Sequence, residues 1–281
     1  MKYLYRLLPF TLLALHAAVS CRAGVNVFPH GSRAAALGNL GVTNTDIFAA
    51  YNNQAALGFL SSPQAAIHYE NKYITEALNL SAAAFAMPAP VAGTLGLDLC
   101  SFGYARYHET RIGIAWGKLL SKRIAVGAQL GYHLMQVAGY GSTNALTAEL
   151  GLLAEPVDNL WVGAHVFNFT NSRYLSSSYH ERLPVIFDVG VGYRLAQHAS
   201  LLVGVKIESE QAAQAKAGLE VVVLKTLALR LGVLVKPVEV FAGFGYTYRK
   251  LHIDMAFSRH ETLRYTPQIS LSYNFSQTQK K

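Results

Sequence analysis

From residue 184 to the C-terminus, apolar and polar positions alternate segment after segment. In residues 238–249, Val238, Val240, Ala242, Phe244, Tyr246 and Tyr248 share one face, against Glu239, Phe241, Gly243, Gly245, Thr247 and Arg249. Next, Leu251, Ile253, Met255 and Phe257 oppose His252, Asp254, Ala256 and Ser258. Further back, Ile124, Val126, Ala128, Leu130 and Tyr132 oppose Ala125, Gly127, Gln129, Gly131 and His133. A period of two marks strands. A half-buried soluble sheet also alternates, but it does not keep charges and glycines on one side throughout. Turn signals such as Ser121-Lys122, Gln197-His198 and Lys236-Pro237 separate the runs. The pattern predicts about 14 strands: 64–70, 76–87, 92–102, 109–119, 123–137, 144–154, 159–169, 184–195, 200–208, 213–224, 226–235, 237–248, 251–259 and 265–275.

Composition tells what surrounds these strands. Hydrophobic residues make up 52% of the 281 and charged residues 14%, against about 25% charged in soluble domains. Disorder is excluded by the hydrophobicity, and a disulfide scaffold by the count of two cysteines. After the first 23 residues no uncharged apolar run reaches helix-spanning length. The longest stretch, Leu219 to Val235, contains Glu220, Lys225 and Arg230. A chain that meets lipid without helical spans satisfies its backbone as a closed barrel. The expected fold is therefore all-β, a transmembrane antiparallel barrel in outer-membrane lipid. Tyr107, Tyr132, Tyr193, Tyr246, Tyr248, Tyr265 and Tyr273 fall near strand ends, where interface aromatics belong. The net charge of +8 is scattered and has no nucleic-acid motif beside it, so nucleic acid is not an expected partner.

The first 23 residues read as a secretory signal. Lys2 and Arg6 precede an apolar run from Leu7 to Val19, and Cys21 and Ala23 offer small residues for cleavage before Gly24. A second reading makes Cys21 a lipidated anchor in a poor lipobox. The chain divides into signal peptide (1–23), an N-terminal plug-like segment (24–62), the barrel (63–275) and a polar tail (276–281). The expected location is the outer membrane of a Gram-negative bacterium.

Residues 31–60 do not alternate. Asp46 is placed to cap a short helix that Asn52-Asn53 and Gly58 end. The segment sets Gly31, Arg33, Ala34, Gly38, Val42, Asp46, Ala49, Asn53, Ala55 and Leu57 at a spacing that resembles the opening of the PorV/PorQ family, relatives of the FadL-type fatty-acid channels. Gln54 stands where that family has proline. The run from Gly243 through Tyr248, with Leu251, Asp254, Ala256, Ser258, Ser270, Leu271, Ser272 and Phe275, is similar to the family's C-terminus. The resemblance implies a non-enzymatic barrel serving type IX protein secretion, with secretion components or secreted cargo as partners. The alternative is a FadL-like transporter of small hydrophobic molecules.

Candidate chemistry lies on the inward face. Asp98, Arg111, Glu149, Asp188, Arg194, Lys206, Glu208, Lys216, Glu220, Arg230, Glu239, Arg249 and Asp254 carry both signs in similar numbers. Balanced signs favour cross-strand ion pairs over an ion-selective pore. His252 and Asp254 share a face and form the one catalytic-type pair, without an identifiable nucleophile. No HxxxH or CxxC spacing supports a metal site, and no cofactor is expected. The register places Leu229 in lipid and Arg230 in the lumen, so Leu229→Arg is expected to harm assembly far more than Arg230→Leu. The glycine-punctuated segment 31–60 does not suit a lipid-facing strand and is expected inside the barrel or across its periplasmic mouth.

Overall fold

The structure, a computed structural model, describes residues 31–89, 91–175 and 182–275. The expected signal peptide, Cys21 and the polar tail lie outside the described residues. Fourteen antiparallel strands follow one another around a closed barrel. They are β1 (Gln64–Asn71), β2 (Asn79–Ala89), β3 (Gly93–Tyr104), β4 (Tyr107–Ser121), β5 (Ile124–Val137), β6 (Gly141–Val157) and β7 (Leu160–Phe167). The second half comprises β8 (Ile186–Ala196), β9 (Ala199–Glu208), β10 (Gln214–Leu224), β11 (Leu227–Val235), β12 (Glu239–Tyr248), β13 (Leu251–His260) and β14 (Tyr265–Asn274). Pairing of β1 with β14, from Gln64↔Asn274 to Glu70↔Gln268, closes the ring and leaves no sheet edge.

The outside of the barrel is apolar. Leu97, Ile114, Leu130 and Leu229 are all exposed on it. Across the pleat, Leu229 is 48% exposed and Arg230 6%, the inversion of a soluble protein that a lipid surround requires. Most boundaries differ from the sequence pattern by one or two residues and three by three: the start of β2 and both ends of β6, which runs on to Val157. Residues 76–78 form a 3-10 turn, fixed by the Asn79 side chain donating to the Glu76 carbonyl at 2.9 Å, so β2 begins later. β6 begins at Gly141, where a positive φ of 91° permits a tight turn directly opposite Val137.

The two ends of the barrel are unlike. Among the described residues, one end carries the short turns 91–92, 122–123, 158–159, 197–198, 225–226 and 249–250. The other carries the connections 72–78, 105–106, 138–140, 168–185, 209–213, 236–238 and 261–264. Short turns lie on the periplasmic side of such barrels and longer loops outside, which orients the molecule.

Residues 31–60 lie inside. They form α1 (Ser32–Ala36), α2 (Ala49–Asn52) and a 3-10 turn (Gln54–Phe59). The Asp46 side chain accepts the Phe48 N–H at 3.0 Å ahead of α2, and the Asn53 side chain accepts the Ala55 N–H to begin the 3-10 turn. Helices this short draw little stability from propensity. Their stability comes from burial, since Ala35, Leu37, Ile47, Ala50, Ala55 and Leu57 are each 1% exposed or less.

Candidate functional site: the plugged lumen

The plug fits because the wall recedes to meet it. Ten consecutive strands, β3 to β12, each turn a glycine toward residues 36–57. The contact runs from Gly96 against Leu57, through Gly127 against Ala55, Gly163 against Val42 and Gly204 against Leu40, to Gly232 against Gly38 and Gly243 against Ala36. Gly117, Gly151, Gly190 and Gly218 fill the strands between. A methyl group on Gly218 would sit 2.6 Å from the Leu37 carbonyl oxygen, and one on Gly190 2.7 Å from Val42 Cγ1. Plug backbone thus lies on wall backbone, a distance only glycine allows. These glycines fall on the inward face of the sequence pattern, but their role as a seat becomes visible only with the plug in place.

The ring closes with other small side chains. Ala256 of β13 packs against Ala35 and Ala36. On β14, the Ser270 hydroxyl accepts the Ser32 N–H at 2.8 Å and donates to the Ser32 hydroxyl at 2.9 Å. The same Ser270 Oγ lies 2.9 Å from His68 Nδ1, and His68 Nε2 lies 4.0 Å from Glu70. This row has the residue types of a nucleophilic triad. Ser32 caps the hydroxyl, however, and the residues are buried, so the row holds α1 rather than a substrate.

Two charged clusters clamp the plug at its ends. Arg33 of α1 meets Glu220 of β10 at 2.8 Å and Asp46 at 3.5 Å. Arg230 bridges Glu220 and Asp254, both at 2.6 Å. A cavity of about 340 Å³ opens beside this cluster toward the periplasmic turns, bordered by Arg33, Asp46, Lys225, His252 and Asp254. The second cluster sits deeper, beneath the 3-10 turn. Arg111 reaches Glu149 at 2.6 Å and Asp98 at 3.8 Å, and His165 meets Glu149 at 3.0 Å. Gln54 of the plug donates to Glu149 at 3.0 Å and to Gln129, which in turn donates to Asp98. Gln54 therefore ties the plug to the wall.

The other inward charges pair locally. Asp188 meets Lys216 at 2.8 Å, and Lys206 meets Glu208 at 2.9 Å. His252 bonds Thr247 while Asp254 serves Arg230, so the catalytic-type pair engages different neighbours. Arg194 and Arg249 stand at the periplasmic end of the barrel, away from the clamped plug. Arg194 is exposed at the periplasmic end of β8, and Arg249 occupies the following turn at a φ of 55°, over the Tyr248 ring. At the outer mouth, burial lowers the Lys72 ammonium to about 8, against the opposing pull of Glu70 and Glu239.

The wall also holds an apolar seam absent from the inward charge pattern. Leu80, Ala82, Ala84 and Ala86 of β2 pair with Phe102, Cys100, Asp98 and Gly96 of β3. Apart from Asp98 and Gly96, these residues join Tyr51 and Leu57 of the plug in one buried apolar cluster, with Leu78 and Tyr107 packed at its outer end. The seam thus runs from the outer connections to the plug.

A plugged, closed 14-strand barrel with an apolar exterior belongs to the class of outer-membrane transmembrane barrels, and its fold is FadL-like. It is similar to the TodX monoaromatic hydrocarbon channel in a ΔS2S3 mutant form, at a TM-score of 0.72 and 13% identity over 89% of this chain and all of that one. The toluene transporter TbuX of Ralstonia pickettii gives 0.68 and 12%, over 89% of this chain and all of that one. A Pseudomonas aeruginosa FadL homologue gives 0.60 and 12%, over 86% and 98%. No protein-family model and no curated protein matches the chain.

Proposed function

We propose that this barrel passes small hydrophobic molecules across the outer membrane as a non-enzymatic transporter. The apolar seam from Leu78 and Phe102 down to Leu57 carries the reading, because it gives an apolar molecule a continuous track to the plug. The seam is packed against Tyr51 and Leu57, so passage requires the plug to shift. The similar structures described above are hydrocarbon transporters and a FadL homologue, which favours transport over the secretion role that the PorV/PorQ resemblance implies.

The test is entry of a monoaromatic hydrocarbon and of a long-chain fatty acid into cells with and without the protein, beside ion conductance in planar bilayers. Faster hydrophobic entry with little conductance supports the proposal, and removal of residues 25–60 raises conductance if the barrel still inserts. Unchanged hydrophobic entry, with recovery of secretion components or cargo on pull-down, returns the protein to the secretion role.

A further inference from the structure

Among the described turns and connections, positive charge is least balanced by acids at the periplasmic rim. The six periplasmic turns carry Lys122, Arg123, Lys225, Arg249 and Lys250 against a single acid, Asp158. At the outer end, the fully described connections carry Lys72, Arg106, Lys236 and Arg264 against Glu76, Glu210 and Glu261. Those connections are longer, so the contrast in charge density is greater still. At the periplasmic strand ends, Lys118 of β4 and Arg194 of β8 stand against Glu155 of β6, so the rim stays basic although Asp158 pairs with Arg123.

Several parts of this rim adjoin an outward aromatic. Trp116 precedes Lys118, Tyr193 precedes Arg194, and Tyr248 stacks on Arg249 at 5.4 Å. Tyr273 pairs with Leu251, next to Lys250. All four rings are exposed on the apolar face. Exposed aromatics mark the headgroup level of a bilayer, and Lys and Arg extend from that depth toward phosphates. The cations are spread over the turns from β4 to β13 rather than gathered on one side. A ring suits an annulus of lipid, whereas a docked protein would cover one sector.

We propose that this rim is a binding surface for anionic phospholipid headgroups of the periplasmic leaflet, and that the barrel selects them over zwitterionic ones. Selection rests on charge at the rim and is independent of what passes through the lumen.

The full chain reconstituted in phosphatidylcholine vesicles tests this. A minority of either phosphatidylglycerol or phosphatidylcholine, brominated on its acyl chains, quenches tryptophan, with Trp116 as the lipid-facing reporter. The expected result is several-fold stronger quenching by the brominated phosphatidylglycerol. The preference falls away in about 1 M salt, which shortens screening to about 3 Å. It also falls away in Lys122→Gln/Lys225→Gln/Arg249→Gln/Lys250→Gln and survives in the outer-end variant Arg106→Gln/Lys236→Gln/Arg264→Gln. Equal quenching by the two lipids overturns the proposal, as does a preference that persists in high salt. So does binding of soluble polyglutamate at the rim without lipid preference, which assigns it to an acidic protein. If the inner-rim variant does not fold, the salt series on the unmodified protein decides.

Discussion

Arg33, at the start of the plug, grips the Glu220 carboxylate of β10 with two hydrogen bonds, Nε to Oε2 at 3.0 Å and Nη2 to Oε1 at 2.8 Å. Glu220 simultaneously accepts Arg230 of β11 at 2.6 Å. The plug therefore takes part in an ion pair of the wall, and its first turn cannot leave without stripping that carboxylate of one cation. A bidentate Arg–carboxylate fork fixes direction as well as energy.

Arg33→Ala should loosen this end of the plug. Breaking a buried pair costs about 3–5 kcal/mol. The Arg33 side chain is 33% exposed, so solvent screening reduces the expected loss to about 1–2 kcal/mol. The measurements are denaturant unfolding in detergent and single-channel conductance. We expect lower stability and intermittent ion leakage, and Glu220→Ala in the Arg33→Ala background should add less than it does alone. A silent channel with unchanged stability would show that the fork does not hold the plug.

The glycine seat makes a position-specific prediction. Gly218→Ala places a methyl 2.6 Å from a plug carbonyl, whereas at Gly192 the nearest atom is Thr43 Oγ1 at 3.2 Å. Overpacking of this kind costs about 1–3 kcal/mol. Gly218→Ala should displace the plug and raise conductance, and Gly192→Ala should do so far less. Equal behaviour of the two would mean that the plug accommodates the wall freely.

Leu229 and Arg230 test the register, with a result that the structure changes. A charge on the lipid face costs about 2–4 kcal/mol near the midplane and less toward the interface, so Leu229→Arg, two residues inside the periplasmic end of β11, should impair assembly at or below the low end of that range. The alternation alone makes Arg230→Leu the milder change. Arg230 is the cation between Glu220 and Asp254, and its removal leaves buried carboxylates short of partners, at about 3–5 kcal/mol. Arg230→Leu should therefore assemble at least as poorly as Leu229→Arg, as read by heat-modifiable gel migration. Neutralising the partner with Asp254→Asn should partly rescue Arg230→Leu and leave Leu229→Arg unimproved.

Much of the barrel is legible in the sequence because lipid outside and charge inside enforce an unbroken period of two, as in residues 238–249. The interior location of 31–60 is legible from the failure of that period. The seam is not legible, because residues 95–102 read Leu-Gly-Leu-Asp-Leu-Cys-Ser-Phe. There Leu97 and Leu99 face lipid while Cys100 and Phe102 face the lumen, so both faces carry apolar residues and hydropathy cannot sort them. The clamp partners are hidden for a different reason. Arg33 and Glu220 stand 187 residues apart, and only closure of the barrel around the plug brings them together.

Cys100 offers a direct reading of plug movement. It lies on the lumen side of β3, 7% exposed, opposite Arg111 and in the apolar cluster with Tyr51. The Tyr51 hydroxyl lies 2.6 Å from the Ala83 carbonyl oxygen and 2.9 Å from the Leu99 carbonyl oxygen, and its single proton is shared between them, which pins the plug over this stretch of wall. In the folded protein a water-soluble maleimide should label Cys100 slowly. Tyr51→Phe removes this shared hydrogen bond while keeping the ring, at about 1 kcal/mol for a neutral bond, and should raise the labelling rate several-fold. Arg33→Ala acts at the far end of the plug. If the plug moves as one body, that variant raises Cys100 labelling as well. If it raises conductance but leaves labelling slow, the α1 half swings away while the 3-10 turn stays anchored by Gln54 to Glu149. Fast labelling of the unmodified protein would show that the plug leaves its seat without help, and the clamps would then be too weak to gate the lumen.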